Sequence, residues 1–148
     1  MIQNKSSLEM TMLMTPDKVN FSGKVHGGQM LKLMDEAAYA CAARYAGCYV
    51  VTLAIEKVLF RKAINVGDLV TIYASVNYTG RTSMEIGIKV IAEDLKSKTQ
   101  RHSISCYFTM VAMGDKGKPV NVPKLIPESE EQKRRWNDAL ARRQKSQN

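Results

Sequence analysis

From Gly27 to about Ala46 the chain is almost continuously apolar or small. Met30, Leu31, Leu33, Met34, Ala37, Ala38, Ala40, Cys41, Ala42 and Ala43 follow one another with no proline, and Gly47 supplies a stop. The stretch predicts a helix of about 19 residues, roughly 28 Å long. At about 100° per residue, Gln29, Lys32 and Glu36 share a sector only about 60° wide. The rest of the surface is apolar, and a helix apolar nearly all round must be buried. Whatever else this chain forms has to wrap that helix.

The remaining sequence supplies a wrapper. Leu8, Met10, Met12 and Met14 alternate with Glu9, Thr11 and Leu13, which reads as a half-buried strand ended by Thr15-Pro16-Asp17. Val50 to Phe60 is a long strand-like run. Val70 to Tyr78, Met84 to Ala92 and Ile104 to Ala112 each alternate with period two. Thr79-Gly80-Arg81-Thr82 is a turn, and Asp94 to Lys98 is a polar connection. Such short links favour antiparallel neighbours. A strand, a long apolar helix and then four strands make an α+β domain. The expected architecture is one curved, five- to six-stranded antiparallel sheet around one buried helix.

At 148 residues the chain fits a single domain with a real core. The domain is expected over residues 1–127. Residues 128–148 read as a charged helical tail, about 15 residues of it solvated and frayed, with Glu128, Glu130 and Glu131 first and Lys133-Arg134-Arg135 and Arg142-Arg143 later. The formal net charge is +8, of which residues 1–127 carry +6. An excess spread through the body admits nucleic acid, acidic lipid or a phosphate-bearing small ligand as partner. No stretch approaches a membrane span, the N-terminus does not read as a signal peptide, and Cys41, Cys48 and Cys106 form neither a CxxC pair nor an even set. A cytoplasmic domain without metal or disulfides is expected.

Two places on the helix invite chemistry. Asp35 stands away from the Gln29/Glu36 sector, among Leu31, Ala38, Tyr39 and Ala42. A carboxylate there is costly unless paired or opened to a cleft. It is either an ion-pair partner or a general base or nucleophile. At the helix start, His26-Gly27-Gly28 offers no Ser, Thr, Asp or Asn cap. Two glycines there serve a tight turn, or leave backbone N–H groups at the positive end of the dipole for an oxyanion. Asn20, seven residues earlier, is either a turn asparagine or an amide that holds a carbonyl or water.

Taken together, Asn20-x-x-Gly23-x-x-His26-Gly27-Gly28-x-x-Leu31-x-x-x-Asp35 resembles the signature of hotdog-fold acyl-CoA thioesterases. It looks closest to the bacterial acyl-CoA thioester hydrolases similar to the brain acyl-CoA hydrolase. Phe60-Arg61-Lys62-Ala63, Val66-Gly67-Asp68 and Tyr78-Thr79-Gly80-Arg81-Thr82-Ser83 also look like that branch. The resemblance implies a hotdog fold and hydrolysis of acyl-CoA to fatty acid and coenzyme A. It implies that Asp35 activates water or attacks the carbonyl, and that Asn20 positions substrate or water. It also implies that Gly27, with Gly28 beside it, polarises the carbonyl oxygen, that His26 lines the site and that Thr52 holds water. It further implies a homodimer joined sheet edge to edge, with Asn20 and Asp35 from opposite subunits, and a trimer of dimers as the assembly. Coenzyme A enters only as part of substrate and product, with no other cofactor. Its phosphates are expected to meet Arg81, with Gly80, Thr82 and Ser83, and Arg61 and Lys62, since Arg matches phosphate bidentately.

Other readings stand beside this one. An acyl-CoA-sensing hotdog module lacks a helix-turn-helix in this chain. A hotdog hydratase or dehydratase has only His26 and His102 to work with. A nucleic-acid module fits the pI of about 9.5 but shows no motif.

Overall fold

A computed structural model describes residues 5–146 of the chain. The elements run β1 (Ser7–Leu13), α1 (Gly27–Ala46), β2 (Tyr49–Phe60), β3 (Leu69–Thr79), β4 (Ser83–Asp94), β5 (Thr99–Met113) and α2 (Glu130–Ser146). The five strands form one sheet in the order β1-β3-β4-β5-β2, every neighbouring pair antiparallel. The expected range of five to six strands resolves to five.

The period-two alternation decides which side chains face α1. Val70, Ile72 and Ala74 of β3, Ile86, Ile88 and Val90 of β4, and Ile104, Cys106, Phe108 and Met110 of β5 are all buried. Against them α1 buries Met30, Leu33, Met34, Ala37, Ala38, Cys41, Ala42 and Tyr45. Each large side chain so buried contributes about 2 kcal/mol. The alanines bring the helix axis close to the strands. Irregularities in pairing at Thr52/Ala54, Glu56/Leu59, Val76/Tyr78 and Val90/Ile91 bend the sheet, which is how a flat ladder comes to curve around a cylinder. Gly47, left-handed at φ 74°, ends α1, its N–H donating to the Ala43 carbonyl.

Two expectations need correction. The sheet does not enclose α1 completely: Leu31 and Asp35 are half-buried and Tyr39 is exposed, a strip at i, i+4 and i+8 left open beside β2. Nor is the tail a solvated, frayed helix. Ser129 and Gln132 form a capping box: Ser129 Oγ accepts from the Gln132 N–H, and Gln132 Oε1 accepts from the Glu128 and Ser129 N–H groups. The helix then lies across the outer face of the sheet. Trp136 packs on Tyr78 with ring centroids 4.4 Å apart, and Ala139 is buried. Arg142 clamps Glu85 through two hydrogen bonds of 2.8 Å and lies 3.6 Å above the Tyr107 ring. The outcome is three layers: α1, sheet, α2.

Candidate active site

β2 is an edge strand, paired on one side only, with β5. Thr52 shares a face with buried Val50 and stands opposite buried Met110, so ordinary alternation turns it toward α1; the pairing slips only after it, between Thr52 and Ala54. Thr52 Oγ1 donates a 2.7 Å hydrogen bond to Asp35 Oδ1 and lies 3.3 Å from Met110 Sδ. No ion pair reaches Asp35 among the described residues, so the expected alternative of a structural Asp–Arg pair is not what this chain builds. The half-buried carboxylate has one oxygen steadied by a hydroxyl, and the other has no hydrogen-bond partner among the described residues. That arrangement suits a group that must accept a proton or offer an electron pair.

At the other end of α1, His26 is the N-cap residue and its side chain makes no capping hydrogen bond. The His26 N–H is spent on the Lys18 carbonyl, and its carbonyl accepts from the Met30 N–H. The N–H groups of Gly27 and Gly28 therefore point out of the helix end with no intrachain acceptor among the described residues. Both glycines are exposed. The Phe60 ring would lie 3.4 Å from a Cβ on Gly27 and walls one side of a cavity of about 150 Å³ with Met30, Arg61, Lys62 and Ile64. Phe60 stands in the Phe60-Arg61-Lys62-Ala63 motif, but no sequence signal marked it as that wall, and Met110, in ordinary strand alternation, was not marked as a neighbour of Thr52.

Asn20 is held by its own turn. Its Oδ1 accepts from the Ser22 N–H, the Ser22 hydroxyl and the Lys24 N–H, at 2.9, 2.6 and 3.1 Å. Within one chain Asn20 makes no hydrogen bond to Asp35, and its Nδ2 has no acceptor among the described residues.

The expected phosphate contacts fall in two places. Arg61 and Lys62 follow β2 beside Gly27, whereas Gly80, Arg81, Thr82 and Ser83 form the β3–β4 turn. Through the register Ser83↔Val111 and Val111↔Val51, that turn lies at the Thr52 end of the sheet. The two groups sit at opposite ends of one subunit and cannot share a ligand phosphate there. The larger cavity, about 560 Å³, lies between the outer sheet face and α2, lined by Tyr73, Lys89, His102, Tyr107 and Arg135 among others. It touches neither Asp35 nor Gly27, so size does not locate the chemistry here.

Cys41 and Cys106 are packing residues. Burial pushes their thiols up to about 11 and about 12, so neither is a thiolate at neutral pH. No cluster of three or more His, Cys, Asp or Glu able to hold a metal occurs among the described residues. Among the described residues no helix is long and apolar enough to cross a membrane.

The chain is similar to protein VdlD of Helicobacter pylori, 45% identical over 141 residues that cover 95% of this chain and 80% of that protein. Among solved structures, a hexameric acyl-CoA thioesterase in its apo form superposes with a TM-score of 0.91 at 34% identity, covering 97% of this chain and 95% of that one. An acyl-CoA hydrolase of Staphylococcus aureus, solved with butyryl coenzyme A and coenzyme A, superposes at 0.89 with 30% identity, covering 95% and 86%. That hydrolase has also been solved with an asparagine, an aspartate fifteen positions later and a threonine seventeen beyond that each replaced by alanine. The thioesterase superfamily model matches residues 22–99, from the loop before α1 to the start of β5. A helix seated in a curved antiparallel sheet, this match and those superpositions agree: the chain has the hotdog fold and belongs to the thioesterase superfamily.

Proposed function

We propose that this protein is an acyl-CoA thioester hydrolase. The observation that carries the reading is the Asp35 carboxylate, held at 2.7 Å by Thr52 and facing an unpaired sheet edge. Asn20, Asp35 and Thr52 are spaced as are the three residues replaced in the Staphylococcus hydrolase.

One subunit cannot perform the reaction alone. Gly27 and Asp35 are eight residues apart on α1, about 12 Å at 1.5 Å per residue. A thioester carbonyl bound to the Gly27 N–H cannot also lie within about 3 Å of Asp35 in the same chain. β2 leaves its outer edge unpaired and exposes Tyr49, Leu53, Ile55, Leu59 and Phe60 along it. A second copy, paired antiparallel at that edge, brings the Phe60 end of one subunit to the Thr52 end of the other. The helix start, Asn20, Arg61 and Lys62 of one copy then meet Asp35, Thr52 and the β3–β4 turn of its partner.

In that shared site the N–H groups of Gly27 and Gly28 receive the negative charge that develops on the carbonyl oxygen. The free amide of Asn20 orients the carbonyl or a water, and His26 lines the same helix end. Asp35 supplies the electron pair, either by taking a proton from water aimed at the carbonyl carbon or by attacking that carbon itself. In the first case the hydroxide adds to the carbonyl carbon, the C–S bond breaks, and the proton taken up by Asp35 passes to the sulfur, so that acid and thiol leave. In the second the C–S bond breaks to give coenzyme A thiolate and a mixed anhydride on Asp35, which water then hydrolyses, releasing the acid, restoring the carboxylate and supplying the proton to the thiolate. Thr52 keeps the carboxylate in register throughout.

The test is a series of acyl-CoA esters of graded chain length assayed for thiol release. The wild-type protein is expected to hydrolyse one or more of them. Asp35→Ala should lower kcat by about 10²- to 10⁴-fold, the usual worth of a positioned base, with the fold intact by circular dichroism. Wild-type turnover in that variant defeats the mechanism.

A further inference from the structure

The cations of α2 differ in how their charge is met. Lys133, Arg134 and Arg135 pair with Glu130, Glu131 or Asp138 on the same helix, and Arg142 is committed to Glu85. Arg143 has no carboxylate partner among the described residues. It is nevertheless held in place. Its Nη1 donates to Ser83 Oγ at 3.1 Å, and its guanidinium carbon lies 5.3 Å from the centroid of the Tyr78 ring. Gly80 keeps the space it occupies: a Cβ there would stand 2.9 and 3.1 Å from the two terminal nitrogens.

This places a second guanidinium against the turn that carries Arg81. The turn is itself anchored, since the Arg81 carbonyl accepts from the Val122 N–H, and the Gly80 N–H donates to the Ser83 carbonyl. Arg81 is exposed and likewise has no carboxylate partner among the described residues. Two cations at one rigid turn repel each other unless an anion joins them. Arg143 spends one of five N–H donors on Ser83, which fixes the plane of the fork and leaves donors for an incoming oxygen.

We propose that Arg143 is a ligand for a phosphate of coenzyme A, delivered by α2 to the β3–β4 turn and acting there with Arg81. The inference rests on the acyl-CoA reading for the identity of the ligand. It goes beyond that reading by giving the C-terminal helix a part in substrate binding, sixty residues away in sequence from the turn it completes.

The probes are coenzyme A, dephospho-coenzyme A and acyl-pantetheine, which lack no phosphate, the 3′-phosphate and every phosphate in turn. Calorimetry with coenzyme A on the full chain should show about tenfold weaker binding for Arg143→Ala, the usual cost of one charge-assisted contact. The kcat/KM for acyl-CoA should fall about tenfold relative to that for acyl-pantetheine. A loss confined to coenzyme A assigns the 3′-phosphate, and a loss shared with dephospho-coenzyme A assigns the diphosphate. Gly80→Ala, which pushes the guanidinium off Ser83, should weaken coenzyme A in the same direction. The double variant should be no worse than Arg143→Ala alone. Unchanged affinity in Arg143→Ala overturns the assignment, and so does an equal loss with acyl-pantetheine, which would mark Arg143 as structural. Calorimetry also separates the two readings: Arg143-dependent binding without any hydrolysis would overturn the enzyme and keep the site.

Discussion

A carboxylate set on an apolar helix strip has to be stabilised or opened to solvent, and Asp35 has both a hydroxyl and an open side. Cys41 and Cys106 show the opposite case, groups that burial silences. In the fold, burial holds protons on Cys41 up to about 11 and on Cys106 up to about 12, whereas an exposed thiol in the unfolded chain loses its proton above 9.0. The folded state therefore binds more protons than the unfolded state above pH 9.0. The stability tied to these two thiols is whole below that pH and declines as pH rises toward 11 and 12. The urea midpoint should accordingly fall between about pH 8 and about pH 10.5, and fall less in Cys41→Ala/Cys106→Ala. An equal fall in both proteins would assign the effect to other groups. At neutral pH iodoacetamide should label the half-buried Cys48 and spare the other two.

At the scale of elements, α2 is fastened by a long-range pair. Arg142 and Glu85 retain only 13% and 14% of their side-chain exposure. Their two 2.8 Å bonds, made under cover of Tyr107, distinguish them from the exposed pairs along α2, which contribute little. Glu85→Ala strands a shielded guanidinium. It should cost about 3 kcal/mol in chemical denaturation, and Glu85→Ala/Arg142→Met should recover part of that loss. A double variant as unstable as the single one would show that the pair is not what holds the helix. This fastening marks where the sequence stops being legible. Alternation placed four of the strands, a strand-like run placed β2, and the apolar run placed α1, because those patterns are local. Ser129-x-x-Gln132 was a readable cap that the acidic residues around it obscured. The docking of α2 was not readable: Trp136 and Ala139 make a thin apolar stripe, and Arg142 finds Glu85 fifty-seven positions away. Asp35 stood out as a polar residue on an apolar face, but its bond to Thr52 joins residues seventeen positions apart, a tertiary contact that neither residue type announces.

At the scale of the whole molecule, one subunit distributes the proposed machinery over both ends of its sheet. The N–H groups of Gly27 and Gly28, with Asn20, lie at one end of α1, and Asp35 with Thr52 lies two turns along it. In the proposed dimer, two-fold pairing at β2 would make two equivalent sites, each taking Asn20 from one copy and Asp35 from the other. Co-expression of Asn20→Ala and Asp35→Ala chains tests this directly. Each variant alone gives dimers in which both sites are damaged. With random assortment, half of the dimers are mixed, and each mixed dimer combines both lesions in one site and leaves the other intact. Turnover of the acyl-CoA substrate should therefore return to about a quarter of wild type. If Asn20 and Asp35 of the same chain form a site, every site in a mixed dimer carries one lesion and co-expression restores nothing. The same proposed dimer would bring Arg61 and Lys62 of one copy toward the Arg81 turn of the other and gather cations from both ends of the sheet around one ligand. Activity restored in the mixed dimers should then fall as salt rises, because phosphate held by several cations weakens with screening.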